Sequence, residues 1–354
     1  MKSQNENTDL FAKLDIWMSE RPQVIRIIWD SFRVFVLEHC PIRATALAYT
    51  TLLAAIPLII LLTAISLSLG VGDLFINHLP VILPDVLEKI MPRMNNILNM
   101  VLPGNTIELN ALTDLILDNV MPFLIKAQDI KLGSLGVIGG AGLFITFILA
   151  INAIETNMNI VWGVNEVRGY GQKVAIFIPF LILLAGGIGI IGVFLGYIKN
   201  ILENVLMQKA LFSGLGGLLI NLSIPVALSL FILFGLWALY CYMPYVPEKG
   251  GFFRAAVEKT KKRWMPALIA AIFTFIAVGV FFVAMFFLQA GMFTKWSLFY
   301  GALAIFPMLM FLLFGFWSII LFGNSLCWRI TERKQSKEYF LQRIANSSRK
   351  VMAE

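Results

Sequence analysis

The sequence predicts an all-α integral membrane protein: a six-transmembrane-helix bundle with an outer cap of short amphipathic helices. Three observations predict it. The 354 residues are 59% hydrophobic and only 14% charged, with a mean hydropathy of +0.82, too little charge to cover the surface of a soluble fold of this length. Six apolar runs reach the roughly 20 residues that a bilayer crossing needs; they fall at 44–70, 132–161, 174–198, 215–243, 265–290 and 297–328. The runs are continuous rather than alternating, which excludes a transmembrane β-barrel.

The third observation is the placement of Lys and Arg. With the N-terminus inside, 21 of the 28 lie in inner segments and 7 in outer ones. Basic residues favour the cytoplasmic side, so both termini are expected in the cytoplasm. Basic loops beside anionic headgroups account for the formal charge of +7 without nucleic acid. The chain divides into a cytoplasmic tail and interfacial helix (1–42), a membrane domain (43–328) with an extracytoplasmic insertion (71–131), and a cytoplasmic tail (329–354).

Residues 1–20 read as a polar tail. Residues 1–42 lack the apolar core and cleavage site of a signal peptide, so the first span is expected to act as an uncleaved insertion signal. Residues 22–38 predict an amphipathic helix in the inner interface. Arg26, Asp30 and Arg33 form its narrow polar face, and Val24, Ile25, Ile28, Trp29, Phe32, Phe35 and Val36 cover the rest. Pro41 is expected to end it.

The first span opens on small and hydroxyl-bearing residues, Arg43-Ala44-Thr45-Ala46-Leu47-Ala48, which favours close helix packing. Pro57 is expected to kink it. The insertion 71–131 carries seven acids against four bases. It holds two apolar patterns of helical spacing, near 84–101 and 110–125, each too short or too polar to span. They predict short helices lying over the outer face of the bundle.

Glycines at the start of the second span (Gly133 to Gly142) and through the third (Gly186 to Gly196) also suit close packing. Phe231-Ile232-Leu233-Phe234-Gly235-Leu236-Trp237 is echoed 80 residues later by Phe311-Leu312-Leu313-Phe314-Gly315-Phe316-Trp317. The echo raises parallel repeats, spans 3–4 upon 5–6, as an expectation. The cysteines Cys40, Cys241 and Cys327 form no CxxC and read as small apolar fillers.

Glu155 is the sharpest candidate site, the one carboxylate inside any predicted span. Asn152, Glu155, Asn159 and Trp162 stand at i, i+3, i+7 and i+10, one face of a helix. Lipid would leave such a stripe unpaired, so it faces protein or water. Glu155 lies about 10 Å inside the inner boundary at 1.5 Å per residue. Two roles stay open: a polar site for a proton or a headgroup, or a structural pair with Arg43 at the inner end of the first span. Asn152, Glu155, Asn159 and Arg43 are therefore the candidate substrate or ion site.

No enzymatic activity is expected. His39 and His78 fall on opposite sides of the membrane in this topology, and no GxSxG, HExxH or P-loop occurs. No metal or cofactor is expected, and no nucleotide-binding domain is present to drive transport. Membrane lipids are the expected partners, with a homo-oligomer left open and nucleic acid not expected.

Several segments together resemble the YihY/BrkB family of bacterial inner-membrane proteins, once labelled ribonuclease BN-like. Arg43 to Leu58 resembles the family's ALAYxxLLxxxPL pattern. Glu155 to Gly163 resembles its Glu-xxx-Asn-xx-Trp-Gly motif. Tyr240 to Pro244 and Phe299-Tyr300-Gly301 resemble later Tyr-xx-xPro and Tyr-Gly positions. The resemblance covers about 20–328. It departs in a longer 71–131 segment, and at Asn324, where an acidic residue is expected; Asn324 would then replace that residue's polar contact. The resemblance implies a six-helix inner-membrane protein, with some relatives tied to envelope integrity, serum resistance or lipid export. A transporter of lipid or amphiphilic envelope precursor is the leading expectation. A non-transporting envelope scaffold is the alternative, and a membrane-associated nuclease is disfavoured by the residues.

Overall fold

Long apolar runs free of chain-breaking clusters bury their backbone hydrogen bonds most completely as helices, and every regular element described here is helical. The computed structural model describes residues 22–68, 136–164, 168, 169, 171–173, 213–245, 252–300 and 305–332. The long helices are α1 (Gln23–Leu37), α2 (Cys40–Ser68), α3 (Gly136–Val161), α4 (Ser213–Tyr242), α5 (Phe252–Tyr300) and α6 (Ile305–Thr331).

Four predicted spans coincide with α2, α3, α4 and α6 to within a few residues at most ends; α6 starts later than 297. The predicted third span, the insertion 71–131 and the tails 1–20 and 333–354 lie outside the described residues, so neither the count of six spans nor the outer cap rests on them. Two stretches, Lys262–Met285 and Leu309–Thr331, are long and apolar enough to cross a membrane, with mean hydropathies of 2.7 and 1.9. Only 22% of the first window and 39% of the second are buried. A core helix of a soluble protein hides most of its apolar surface, so this exposure suits lipid. Ile145–Val161 and Leu228–Tyr242 are shorter apolar segments.

Two further boundaries differ from expectation. The break predicted at 291–296 is absent, and α5 runs on to Tyr300. Gly291-Met292-Phe293-Thr294-Lys295-Trp296 contains a charge but no proline; a charge can end an apolar run without ending a helix. At the other end, Pro41 does not stop α1. The chain turns at Glu38 and at His39, whose φ of 53° is left-handed. Pro41 instead sits in the first turn of α2, where its missing N–H leaves no helical bond unmade.

α6 is the hub: it packs on α5, α2 and α1 and more lightly on α3, while α4 packs on α5 and α3 on α2. Small residues line the contacts, with Ala44 and Ala48 of α2 and Ala267, Ala270 and Ala271 of α5 fully buried. Trp317 Nε1 donates to Thr51 Oγ1 at 2.9 Å, tying α6 to α2. The three cysteines are buried and form no disulfide, as fillers should be.

A buried pin joins three helices. Tyr240 of α4 shares a 2.8 Å hydrogen bond with Thr274 Oγ1 of α5 and donates to the Ile320 carbonyl of α6 at 3.1 Å. Gly323 makes room for it: a Cβ there would collide with both the Tyr240 hydroxyl and Thr274 Oγ1. Gly315 similarly admits the Phe281 ring. Its echo partner Gly235 faces open space, as does Gly142, so these two do not serve close packing among the described residues. The echoed tryptophans also differ: Trp237 donates to the Trp264 carbonyl and Trp317 to Thr51.

Gly323→Ala is expected to destabilise the protein by about 1–3 kcal/mol through overpacking. The thermal denaturation midpoint in detergent checks this: it should fall for Gly323→Ala and hold or rise for Gly235→Ala.

Candidate functional site

Glu155 sits about two turns before the end of α3 and is fully buried. A carboxylate there must be neutralised, and two cations from the segment after α3 do so. Arg168 Nη1 donates to Glu155 Oε1 at 3.0 Å, and the Arg168 backbone N–H donates to the same oxygen at 3.2 Å. Lys173 Nζ lies 3.3 Å from Oε2. That second contact is held by charge rather than by a well-aimed hydrogen bond, since Oε2 receives none. Lys173 also donates to Asn152 Oδ1.

Arg168 does more than neutralise Glu155. Its Nη1 donates to the Met243 carbonyl at 2.9 Å and its Nη2 to the Tyr242 carbonyl at 2.7 Å. These carbonyls close α4, where helix ends leave unpaired acceptors and partial negative charge. The guanidinium also lies 5.2 Å from the centre of the Tyr245 ring. Burial pulls Arg168 below its ordinary guanidinium range, opposed by the charge and hydrogen bond of Glu155. Asn159 Oδ1 accepts the Tyr245 N–H at 2.8 Å. The stripe Asn152, Glu155, Asn159 thus faces the 168–173 segment and the end of α4.

Trp162 and Gly163 close α3 in a Schellman arrangement. Gly163 has φ 70°, its N–H bonds the Ile160 carbonyl at 2.9 Å, and the Val164 N–H bonds the Asn159 carbonyl at 3.1 Å. The turn aims the Trp162 indole at two partners. Its Nε1 donates to Asn324 Oδ1 at 3.0 Å, and its ring carries the Arg263 guanidinium 4.1 Å above its centre. Asn324 Nδ2 donates to the Met158 carbonyl at 3.0 Å, and Arg263 Nη1 to the Pro244 carbonyl at 2.9 Å. Asn324 therefore makes a real polar contact where an acidic residue is expected.

Arg43 is the exception among the predicted site residues. It does not pair with Glu155. Its Nε donates to the Glu38 carbonyl at 2.8 Å, at the end of α1, and its Nη1 reaches Asn157 Oδ1 at 3.5 Å. Asn157 and Glu155 are two residues apart, about 200° around a helix, so Arg43 meets a different face of α3.

Sequence reasoning missed Arg168, Lys173 and Arg263 as site residues. A signal was present: a lone carboxylate in an apolar helix demands a cation, and the short segment after α3 carries two. Arg263 had no comparable signal, because its partners are a carbonyl and an indole distant in the chain.

Glu155→Gln leaves Arg168 and Lys173 buried without their counter-charge and is expected to cost about 3–5 kcal/mol. Arg43→Ala loses only partly exposed hydrogen bonds and is expected to cost about 1 kcal/mol. Thermal denaturation of both variants in one detergent checks the order; an equal loss would restore Arg43 as the partner.

The family model described as "Virulence factor BrkB" matches residues 31–346. A UPF0761 membrane protein of Vibrio parahaemolyticus is 24% identical over 85% of this chain and 81% of its own length. One from Acinetobacter baylyi is 26% identical over 86% of this chain and 62% of its own. One from Vibrio cholerae is 27% identical over 57% of this chain and 61% of its own. No solved structure matches. With most of its length matched by the family model, and with relatives that are bacterial membrane proteins, this chain is a membrane protein of the BrkB family.

Proposed function

We propose that the chain is a six-span inner-membrane protein, both termini cytoplasmic, that moves a lipid or an amphiphilic envelope precursor across the membrane and catalyses no chemical reaction. One observation carries this: the knot of Glu155, Arg168 and Lys173, buried at one end of apolar helices. The Arg168 guanidinium, with the Asn159–Tyr245 bond beside it, joins α3 to the end of α4, so parting these helices costs Arg168 either its two α4 carbonyls or its bond to Glu155. Among the described residues, two cations stand against Glu155 in the knot, and the buried Arg263 lies nearby. A surplus of positive charge suits an amphiphile with an anionic headgroup, drawn from the lipids that are the expected partners.

The test uses proteoliposomes carrying a fluorescent anionic phospholipid whose transbilayer movement is followed by quenching from outside. Wild-type protein should speed movement over protein-free vesicles. Lys173→Gln, which keeps the Arg168–Glu155 bond, should change the rate about tenfold, a usual size for coupling between a latch and a site. A wild-type rate equal to that of empty vesicles would sink the transport role.

The contact of Glu155 with two cations also suits a second role, a non-transporting envelope scaffold whose knot is structural. That role expects no protein-dependent lipid movement, and loss of partner retention when residues 80–125 are deleted.

A further inference from the structure

We propose that α1 lies in the headgroup–acyl boundary of the bilayer, at the level where α6 ends, and selects anionic lipid. The proposal needs only membrane residence and is independent of transport.

α1 is built inside out. Taken at 100° per residue, Ile27, Asp30, Ser31, Val34 and Glu38 fall on one side and face the protein; Ser31, Val34 and Glu38 are buried. Val24, Ile25, Ile28, Phe32 and Val36 fall within about 120° of arc and are 42% to 68% exposed. A helix on a soluble protein turns its apolar stripe inward. Here polar groups are held inward and a continuous apolar stripe is left outside.

Two contacts set its height against α6. Asp30 Oδ2 pairs with Arg329 Nε at 2.7 Å, in the last turn of α6. The Phe35 ring meets Phe322 edge-on at 5.9 Å, seven residues and about 10 Å further into the apolar stretch. α1 therefore straddles the level at which Leu309–Thr331 gives way to polar chain. An apolar stripe at that height faces lipid rather than water.

Charge argues for the lipid's sign. Asp30 is the one carboxylate of α1 and is already neutralised by Arg329. Arg26 is exposed and stands on the edge of the helix that lies between the stripe and Asp30. That edge meets the headgroups, where each cation near an anionic surface draws acidic lipid.

The experiment uses the full chain in nanodiscs of mixed phosphatidylglycerol and phosphatidylcholine. A photoreactive benzoylphenylalanine replaces Ile28 or Phe32; both positions are exposed, so the larger ring has room. Irradiation followed by intact-protein mass spectrometry should show phospholipid adducts at both positions, enriched in phosphatidylglycerol. Arg26→Gln should lower that enrichment roughly two- to fivefold. Adducts to a second copy of the chain, or no lipid adducts, would overturn the placement. Adducts whose lipid ratio ignores Arg26 would overturn the selectivity.

Discussion

A carboxylate sealed inside apolar helices must be neutralised, and much of this structure follows from how Glu155 meets that requirement. Burying a lone anion costs far more than a marginally stable fold can spare. The chain answers with Arg168 and Lys173, which reach back across the turn that follows α3. Their positions then constrain the rest. The same guanidinium that meets Glu155 also takes the last carbonyls of α4, so the end of one helix is placed by the charge inside another. Replacing the triad with apolar residues would often be neutral in stability. Its presence argues for a role in specifying which helices meet, or in letting them part.

A second layer surrounds that centre and works by the same rule, that helix C-termini collect cations and donors. Arg43 closes α1, Arg168 closes α4, and Arg263 takes the Pro244 carbonyl just beyond α4. Trp162 couples the layers, with Arg263 over its ring and Asn324 at its indole nitrogen. Asn324 supplies what an acidic residue would, an acceptor for the indole, and adds a donor for the Met158 carbonyl that a carboxylate could not. An amide therefore suits this position without adding another buried charge.

The helices themselves were legible in the sequence because apolar length signals a span whatever it packs against. Most ends of α2, α3, α4 and α6 fall close to the hydropathy limits. The extension of α5 to Tyr300 was not legible, since Lys295 interrupts apolarity without interrupting backbone bonding. The polar stripe on α3 was legible from its spacing, and Asn152, Glu155 and Asn159 do face common ground. The partner of Glu155 was not. Arg43 is the nearest cation to the inner end of a neighbouring span, but helical phase turns it toward Asn157. Which face of α3 meets α2 is set by packing, and no local pattern encodes it. Arg263 was hidden more deeply still, because indole and carbonyl partners leave no charge complement to look for.

The outer surface and the inner knot together state the physical problem that a mobile form of this protein would face. Outside, α4 and α5 present apolar residues such as Leu230, Ile276 and Val280; inside, among the described residues, the buried charges gather at one end of the bundle. Opening that end while leaving Glu155 unpaired would cost several kcal/mol. To convert a closed majority into an open one, a ligand must favour the open form by about 5.5 kcal/mol. A lipid without an anionic group has no means of recovering the energy of separated ions. An anionic headgroup does, since it can take Lys173 or Arg168 as partner while the remaining cation stays with Glu155.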